Sequence, residues 1–188
     1  EVMSQQTQIQ RVVVKYQAWI KRFPTVTSLA HASTTDVLQY WSGLGYNRRA
    51  LNLKKTAEII STEFEGEFPQ EEKLLLKLPG IGSYTARAML CFAFGKQVTV
   101  VDTNVRKVIL VEMLKKSEGT DEQKIIQEIA EKLLPKGRAS EWNQALMDYA
   151  AAVLKKEKIP IPKQSKFIGS HRYYRGQVLK ILLKRKEV

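Results

Sequence analysis

Apolar side chains recur every three or four residues along three long stretches of the chain, the spacing that places them on one face of an α-helix. These stretches cover residues 2–20, 51–60 and 125–134. The one run with the character of a β-strand, residues 98–101, is too short and isolated to indicate a sheet. The pattern therefore predicts an all-α fold of about nine short helices.

Capping residues and prolines mark several predicted helix boundaries. Thr120 with Gln123 has the form of a capping box, and Ser140 is a candidate N-cap for a helix that holds residues 142–154. Residues 155–169 contain prolines and a glycine, which indicates an extended connection. A final basic helix is predicted over residues 171–186.

The charge of the chain is strongly unbalanced. Its 188 residues carry a formal net charge of +12. A phosphate backbone binds cationic surfaces largely through the release of condensed counterions, so nucleic acid is the leading predicted partner. The single cysteine, Cys91, excludes an internal disulfide framework and any site that needs several thiolates from this chain.

The chain shows no sign of a membrane segment or a secretion signal. No apolar stretch reaches the roughly 18 residues of a membrane span. The first residues are polar, so we expect a cytoplasmic protein, or a nuclear one in a eukaryote. The chain begins at Glu1, not at a methionine, inside an apparent amphipathic segment, so we expect that residues upstream of it have been removed.

A glycine-rich turn stands near the middle of the chain. Residues 78–86 have the sequence LPGIGSYTA and separate an apolar run from a stretch with helical spacing. Two glycines around one apolar residue permit a tight turn and leave the amides of the following helix open to a phosphate. Such a turn could hold a DNA backbone without reading its sequence. From these residues alone, an ordinary turn between two core helices stays the alternative.

A carboxylate follows this turn at the end of the apolar run. Asp102 stands between residues 98–101 and an amphipathic stretch that begins with Thr103. Aspartate is a common helix N-cap, so Asp102 could be purely structural. A structural function as an N-cap and a catalytic function are compatible. A helix N-terminus stabilises a carboxylate, and a fixed anion is what an oxocarbenium-like transition state requires.

The turn and Asp102 together resemble the signature of the helix-hairpin-helix DNA glycosylases, a family that includes endonuclease III and MutY adenine glycosylase. Two further segments resemble MutY in particular. Residues 1–8, EVMSQQTQ, are similar to its segment E-V-M-L-Q-Q-T-Q, and residues 41–50, WSGLGYNRRA, are similar to its segment W-x-G-L-G-Y-Y-x-R-A. The resemblance covers the first half of the chain densely and continues more weakly through residues 142–148.

The resemblance implies a helix-hairpin-helix glycosylase fold of two helical lobes with the active site in the cleft between them. We expect one lobe over residues 1–98, with the hairpin at 78–86, and a second over residues 99–188 that ends in the basic helix. The implied partner is double-stranded DNA containing a mismatched or damaged base pair. We expect a monomer that does not bind membranes.

Four residues would have catalytic functions by this resemblance. Glu1 would protonate N7 of an extrahelical adenine and then help to activate water, and Asp102 would stabilise the sugar cation. Tyr84 and Asn104 would position these groups and the sugar. Bifunctional members have a lysine at the position of Tyr84, so the tyrosine predicts a monofunctional enzyme that hydrolyses the N-glycosidic bond of adenine opposite 8-oxoguanine or guanine.

Further residues are expected to contact DNA. Gln6 and Tyr46 would surround the base opposite the adenine, and Leu44 would help to wedge the duplex. The complete predicted set is Gln5, Gln6, Thr7, Leu44, Tyr46, Arg48, Gly80, Gly82, Ser83 and Arg106. The resemblance also implies a monovalent cation, Na⁺ or K⁺, at the hairpin, bound by the backbone carbonyls of Leu76, Leu78 and Ile81. No other cofactor is expected to be required.

The chain departs from the family pattern in features that affect cofactor and specificity. The relatives usually carry four cysteines that ligate an iron–sulfur cluster, the first near Leu154, and this chain has none of them, so we expect no cluster. Ser4 and Asn47 replace an apolar residue and a tyrosine, and we expect no counterpart within these residues of the C-terminal domain that helps MutY proteins to recognise 8-oxoguanine. Two alternatives stay open: a thymine or uracil mismatch glycosylase of the same fold, and a non-catalytic helix-hairpin-helix module that binds DNA.

Overall fold

The computed structural model describes residues 1–114, 122–159 and 166–185, and within these ranges the chain forms ten α-helices and no β-strand. The predicted all-α fold is therefore confirmed. The helices are α1 (Ile9–Arg22), α2 (Val26–Ala30), α3 (Thr34–Trp41), α4 (Arg48–Glu63), α5 (Glu72–Leu75), α6 (Ser83–Ala88), α7 (Thr103–Val108), α8 (Glu122–Leu133), α9 (Ala139–Ala152) and α10 (His171–Arg185). Helix α6 continues into a π-helical segment, Met89–Ala93, and α7 continues into another, Ile109–Met113.

The chain divides into two compact units: unit 1 has residues 1–69, 77–80 and 163–188, and unit 2 has residues 70–76 and 81–162. These units differ from the continuous halves, 1–98 and 99–188, that the sequence predicts. The difference arises because unit 1 contains both ends of the chain. No helix in the described ranges combines the length and the apolar character that a bilayer crossing requires.

Unit 1 has an aromatic core. Trp19 packs edge to face against Phe23 and against Trp41, with ring centroids 4.9 and 5.6 Å apart. Edge-to-face pairs of this kind stabilise a core beyond the burial of their apolar area. Leu179 and Leu183 of α10 pack against the same core, which is why the final helix belongs with the first part of the chain.

Unit 2 is built around α7 and its π-helical continuation. Val105 and Ile109 pack against Ile126 of α8, and all three side chains are almost completely buried. Val108 packs against Ala150 of α9. Since α7 is buried on two sides, its N-terminus is held in a fixed place.

Several predicted boundaries need correction. The helix predicted from residue 2 begins only at Ile9, because Gln6 has φ of 52°, which a right-handed helix does not allow. Ser140 is not the N-cap of α9, since that helix begins at Ala139 with Arg138 at its N-cap position. The predicted capping box of Thr120 with Gln123 lies partly outside the described residues, as does the connection over 155–169.

A buried amide holds the short run that leads into Asp102. The side chain of Asn143 on α9 is 1% exposed. Its Oδ1 accepts a hydrogen bond from the Val100 amide at 2.8 Å, and its Nδ2 donates to the carbonyl oxygens of Val98 at 3.0 Å and Ala139 at 2.8 Å. Because the run belongs to neither a helix nor a sheet, the amide replaces the partners that regular structure would supply.

We expect Asn143→Ala to lower the free energy of unfolding by about 2–4 kcal/mol, because it leaves buried backbone groups without partners. Urea denaturation measures this value. The control is Gln144→Ala, which removes a neighbouring exposed amide and should change stability by less than about 0.5 kcal/mol. Equal stability of the two variants would contradict the function assigned to Asn143.

Candidate active site and DNA-binding residues

Asp102 is the N-cap of α7, as the sequence predicts for a structural aspartate. Its Oδ1 accepts a hydrogen bond from the Val105 amide at 2.7 Å, and its Oδ2 accepts one from Asn104 Nδ2 at 3.0 Å. The carboxylate is therefore held through both oxygens while it stays partly accessible. A fixed, accessible anion of this kind can stabilise a cation that forms beside it.

Tyr84 and Arg106 are further predicted residues of unit 2. Tyr84 on α6 is half-buried and packs against a buried cluster that includes Cys91 and Val100. Arg106 lies one turn after Asp102 on α7. The structure thus brings Tyr84, Asn104 and the backbone around Asp102 into one unit.

In unit 1, Arg49, the second residue of α4, donates hydrogen bonds to the backbone within residues 1–8. Its Nη1 donates to the carbonyl oxygens of Val2 at 2.6 Å, Met3 at 3.3 Å and Gln5 at 2.6 Å. These bonds hold a segment that is not helical, since Gln6 has φ of 52°, outside the range of a right-handed helix.

The second nitrogen of the Arg49 fork reaches two further places in unit 1. Nη2 donates to Thr7 Oγ1 at 3.0 Å, and to the carbonyl oxygens of Leu44 at 3.4 Å and Gly45 at 3.3 Å. One guanidinium therefore joins the first residues of the chain to the turn over residues 42–47. Both segments contain residues that the sequence predicts to contact DNA.

Aromatic rings lie beside this guanidinium. Arg49 Cζ is 5.1 Å from the centroid of the Trp41 ring and 5.5 Å from that of Tyr46, distances at which a cation is attracted to a ring. Partial burial lowers the pKa of the Arg49 guanidinium from its ordinary value, and the Tyr46 phenol opposes that shift.

Two predicted DNA contacts have unusual backbone conformations. Gln6 has φ of 52° and Tyr46 has φ of 48°, in the left-handed region that residues other than glycine rarely adopt. Such conformations persist only where the surroundings enforce them, and they are common at functional sites. Tyr46 is 41% exposed, and its hydroxyl lies 3.3 Å from Nη1 of Arg172 in the first turn of α10.

Leu44 has a buried side chain. The sequence predicts it as a wedge in the duplex, and here it is 5% exposed and packs into the apolar core of unit 1. The exposed large side chain of this turn is Tyr46. Arg48, Gln6 and Glu1 are also exposed, whereas Gln5 and Thr7 are half-buried.

The two glycines of the predicted hairpin have different requirements. Gly80 has φ of 79°, and a Cβ there would lie 2.6 Å from Asn52 Nδ2 and 2.9 Å from its Cβ. Thr56, which lies on α4 with Asn52, donates a hydrogen bond to the Pro79 carbonyl at 3.1 Å. Gly82 has an ordinary φ, and a Cβ added to it would meet no atom. Gly82 and Ser83 are exposed at the start of α6, consistent with an open surface.

Arg49 is the residue that sequence reasoning missed. The sequence predicts the adjacent Arg48 as a DNA contact, although the MutY segment W-x-G-L-G-Y-Y-x-R-A has its arginine at the position of Arg49. The motif itself could therefore have identified Arg49. Four of its six hydrogen-bond acceptors could not be predicted, since they lie on an irregular segment 42 to 47 residues away in sequence.

Leu154, where relatives carry the first cluster cysteine, is surrounded by apolar contacts. It is 6% exposed and packs against Val108, and its carbonyl oxygen accepts a hydrogen bond from the Lys107 ammonium. The one cysteine of the chain, Cys91, is buried, and this burial raises the pKa of its thiol. These residues do not fit an iron–sulfur cluster, which takes several thiolates. Within the described ranges, no group of three or more acidic, histidine or cysteine side chains is placed to hold a metal ion.

Solved structures define the class to which this fold belongs. A thermostable thymine-DNA glycosylase matches with a TM-score of 0.74 at 26% identity, over 92% of this chain and 78% of that chain. A trapped endonuclease III–DNA covalent intermediate matches with a TM-score of 0.70 at 24% identity, over 79% of this chain and 69% of that chain. The fold is that of the helix-hairpin-helix glycosylases.

Sequence comparison makes the assignment more specific. Residues 1–136 match the HhH-GPD superfamily of base excision DNA repair proteins, and the chain belongs to that family. The adenine DNA glycosylase of Mycolicibacterium smegmatis is 40% identical over 153 residues, which cover 81% of this chain and 52% of that protein. That of Mycobacterium tuberculosis is 48% identical over 109 residues, 58% of this chain and 36% of that protein.

A human relative extends the same similarity. The adenine DNA glycosylase of Homo sapiens is 36% identical over 159 residues, which cover 81% of this chain and 29% of that protein. The chain thus spans about half or less of the length of these relatives.

We expect Gly80→Ala to lower the free energy of unfolding by roughly 2–4 kcal/mol. The new methyl group would meet Asn52, and residue 80 has a left-handed backbone conformation that alanine adopts only at a cost. Gly66→Ala is the matched control, since Gly66 has φ of 87° with no atom near its Cβ position. That control should lose only about 1–2 kcal/mol. Urea denaturation compares the two, and an equal loss would show that the contact with Asn52 is unimportant.

Proposed function

We propose that this protein is a monofunctional DNA glycosylase of base-excision repair that hydrolyses the N-glycosidic bond of adenine paired with 8-oxoguanine or guanine. The observation that carries the proposal is the carboxylate of Asp102, which is held through both oxygens and stays accessible. Relatives named adenine DNA glycosylase, up to 48% identical, support adenine as the base.

Asp102 would act on the sugar. As the bond between C1′ and the base breaks, positive charge develops on the ring, and a nearby carboxylate stabilises it as in glycoside hydrolysis. The hydrogen bonds from Val105 and Asn104 orient the carboxylate before the reaction begins. This preorganisation avoids a reorientation cost in the transition state.

Glu1 would act on the base. Its carboxyl group would give a proton to N7 of the adenine, which leaves as a neutral base when the bond to C1′ breaks. The resulting carboxylate would then take a proton from the water that attacks C1′, which restores the acid. Glu1 is exposed, and its backbone carbonyl accepts hydrogen bonds from the amide and the hydroxyl of Ser4.

Tyr84 defines the reaction as hydrolysis. A phenol does not form the Schiff base that a lysine amine forms with the sugar, so strand cleavage through such an intermediate is not expected. In the proposed site, Tyr84 and Asn104 position the sugar and the carboxylate. The product is an abasic site in an intact strand.

The DNA would be held mainly through its phosphates. A chain with a net charge of +12 favours such contacts, and they fix the register of the protein without reading sequence. Gly80, Gly82, Ser83 and Arg106 would meet the backbone near the extruded adenine, and Gln5, Gln6, Thr7, Tyr46 and Arg48 would contact the opposite base and its neighbours.

The hairpin would also hold a monovalent cation. Backbone carbonyl oxygens can replace the hydration shell of such an ion. The backbone carbonyls of the predicted set, Leu76, Leu78 and Ile81, are therefore ligands of a kind that Na⁺ or K⁺ binds. When bound, the ion would supply positive charge beside a phosphate. We further propose that the protein acts as a monomer on double-stranded DNA.

The test uses duplexes with adenine opposite 8-oxoguanine, adenine opposite guanine, and thymine opposite guanine. We expect the protein to release adenine from the first two, as measured by alkaline cleavage at abasic sites under single-turnover conditions. Release of thymine alone would favour a mismatch thymine glycosylase. Binding of all three duplexes without base release would indicate a non-catalytic DNA-binding module.

In the same assay, we expect Asp102→Asn to lower the excision rate by about 10³-fold or more while DNA binding is retained, because the charge is lost and the amide keeps the shape. Asp148→Asn is the control, since Asp148 is exposed on α9, where it accepts a hydrogen bond from Gln144. Full excision by Asp102→Asn would contradict the mechanism.

A further inference from the structure

Several hydrogen-bond acceptors converge on the side chain of Arg49. Its two terminal nitrogens donate to six oxygen atoms, five of them backbone carbonyls. These acceptors come from two irregular segments of unit 1, residues 1–7 and the turn over residues 42–47. Helix α4, which carries Arg49, lies on neither segment.

A guanidinium suits this arrangement better than any other side chain. It is planar and presents five N–H donors in a rigid fork, so one group can satisfy carbonyls that point toward it from different directions. A lysine ammonium carries the same charge but offers three donors at one point on a flexible stem. The contacts of Arg49 therefore depend on the shape of its side chain as well as on its charge.

The two segments carry a large share of the proposed site. Residues 1–7 contain the proposed acid, Glu1, and the DNA contacts Gln5 and Gln6. The other segment leads directly into Tyr46. Neither segment has a helical backbone that could fix these side chains, and the left-handed conformations of Gln6 and Tyr46 need support from their surroundings.

We propose that Arg49 is a positioning residue of the glycosylase site, whose guanidinium fork fixes the segment with Glu1, Gln5 and Gln6 against the turn with Tyr46. This inference rests on the proposed function. Arg49 touches neither sugar nor base in it, and it acts by holding residues that do. Misplacement of a catalytic group by about 1 Å can cost about 10²-fold in rate, so the loss of one fork can strongly affect chemistry.

A purely structural function would have different consequences. The aromatic core is formed by ring contacts of Trp19 with Phe23 and Trp41, and the guanidinium adds a cation–π contact with the Trp41 ring. A lysine at position 49 keeps a cation on the same helix beside that ring. We therefore expect that the fold of unit 1 survives the replacement of Arg49 by lysine. What changes is the order of residues 1–7 and of the turn.

The test compares Arg49→Lys with Arg22→Lys. The control has the same chemical change in the same unit, at an exposed arginine that pairs with Asp36. For Arg49→Lys we expect the single-turnover rate of adenine excision to fall about 10- to 100-fold, with less than about threefold change in the Kd for the same duplex. Arg22→Lys should match the parent protein in both measurements.

Hydrogen–deuterium exchange provides a readout that does not depend on activity. In Arg49→Lys, amides in residues 2–8 and 42–47 should exchange faster, while those of α3 should be unchanged. An excision rate within about twofold of the parent would overturn the proposal, as would faster exchange throughout the core of unit 1. If the parent protein excises no base, the proposed function fails, and faster exchange confined to the two segments would still support the contact assigned to Arg49.

Discussion

Backbone that is not helical must still find hydrogen-bond partners, and in this protein side chains from distant helices supply them. Arg49 of α4 binds the carbonyls of residues 2–5, and Asn143 of α9 binds the backbone of Val98 and Val100. An unpaired buried backbone group costs free energy comparable to a lost hydrogen bond. The two irregular segments, one beginning at the proposed acid Glu1 and one leading into Asp102, are therefore held by side chains of α4 and α9.

At Asp102, the hydrogen bond that satisfies a backbone amide stabilises the helix and also orients the carboxylate for catalysis. The carboxylate satisfies the Val105 amide at the start of α7, which is an ordinary capping function. Because that bond and the one from Asn104 occupy the carboxylate from fixed directions, the charge is oriented before any substrate binds. Asp102, which the sequence explains as a helix cap, thus has the properties that a cation-stabilising group needs. The capping hydrogen bonds themselves hold its carboxylate in place.

The sequence predicted the features that depend on local pattern. Helical periodicity predicted α4 and α8, and the spacing of the hairpin and Asp102 identified the family. Features that depend on contacts between distant residues were missed. Nothing local shows that Arg49 binds the carbonyls of the first residues, that Leu44 turns into the core, or that α10 packs with unit 1. In each case a long-range contact overrides the local preference.

The central claim is that a carboxylate fixed at one place by the start of α7 stabilises the sugar cation. Asp102→Glu tests it most directly, because it keeps the charge and moves it by one methylene. The measurement is the single-turnover rate of base release from a duplex with adenine opposite 8-oxoguanine. The account predicts a loss of about 100-fold or more with DNA binding retained. A rate equal to that of the parent protein would contradict it.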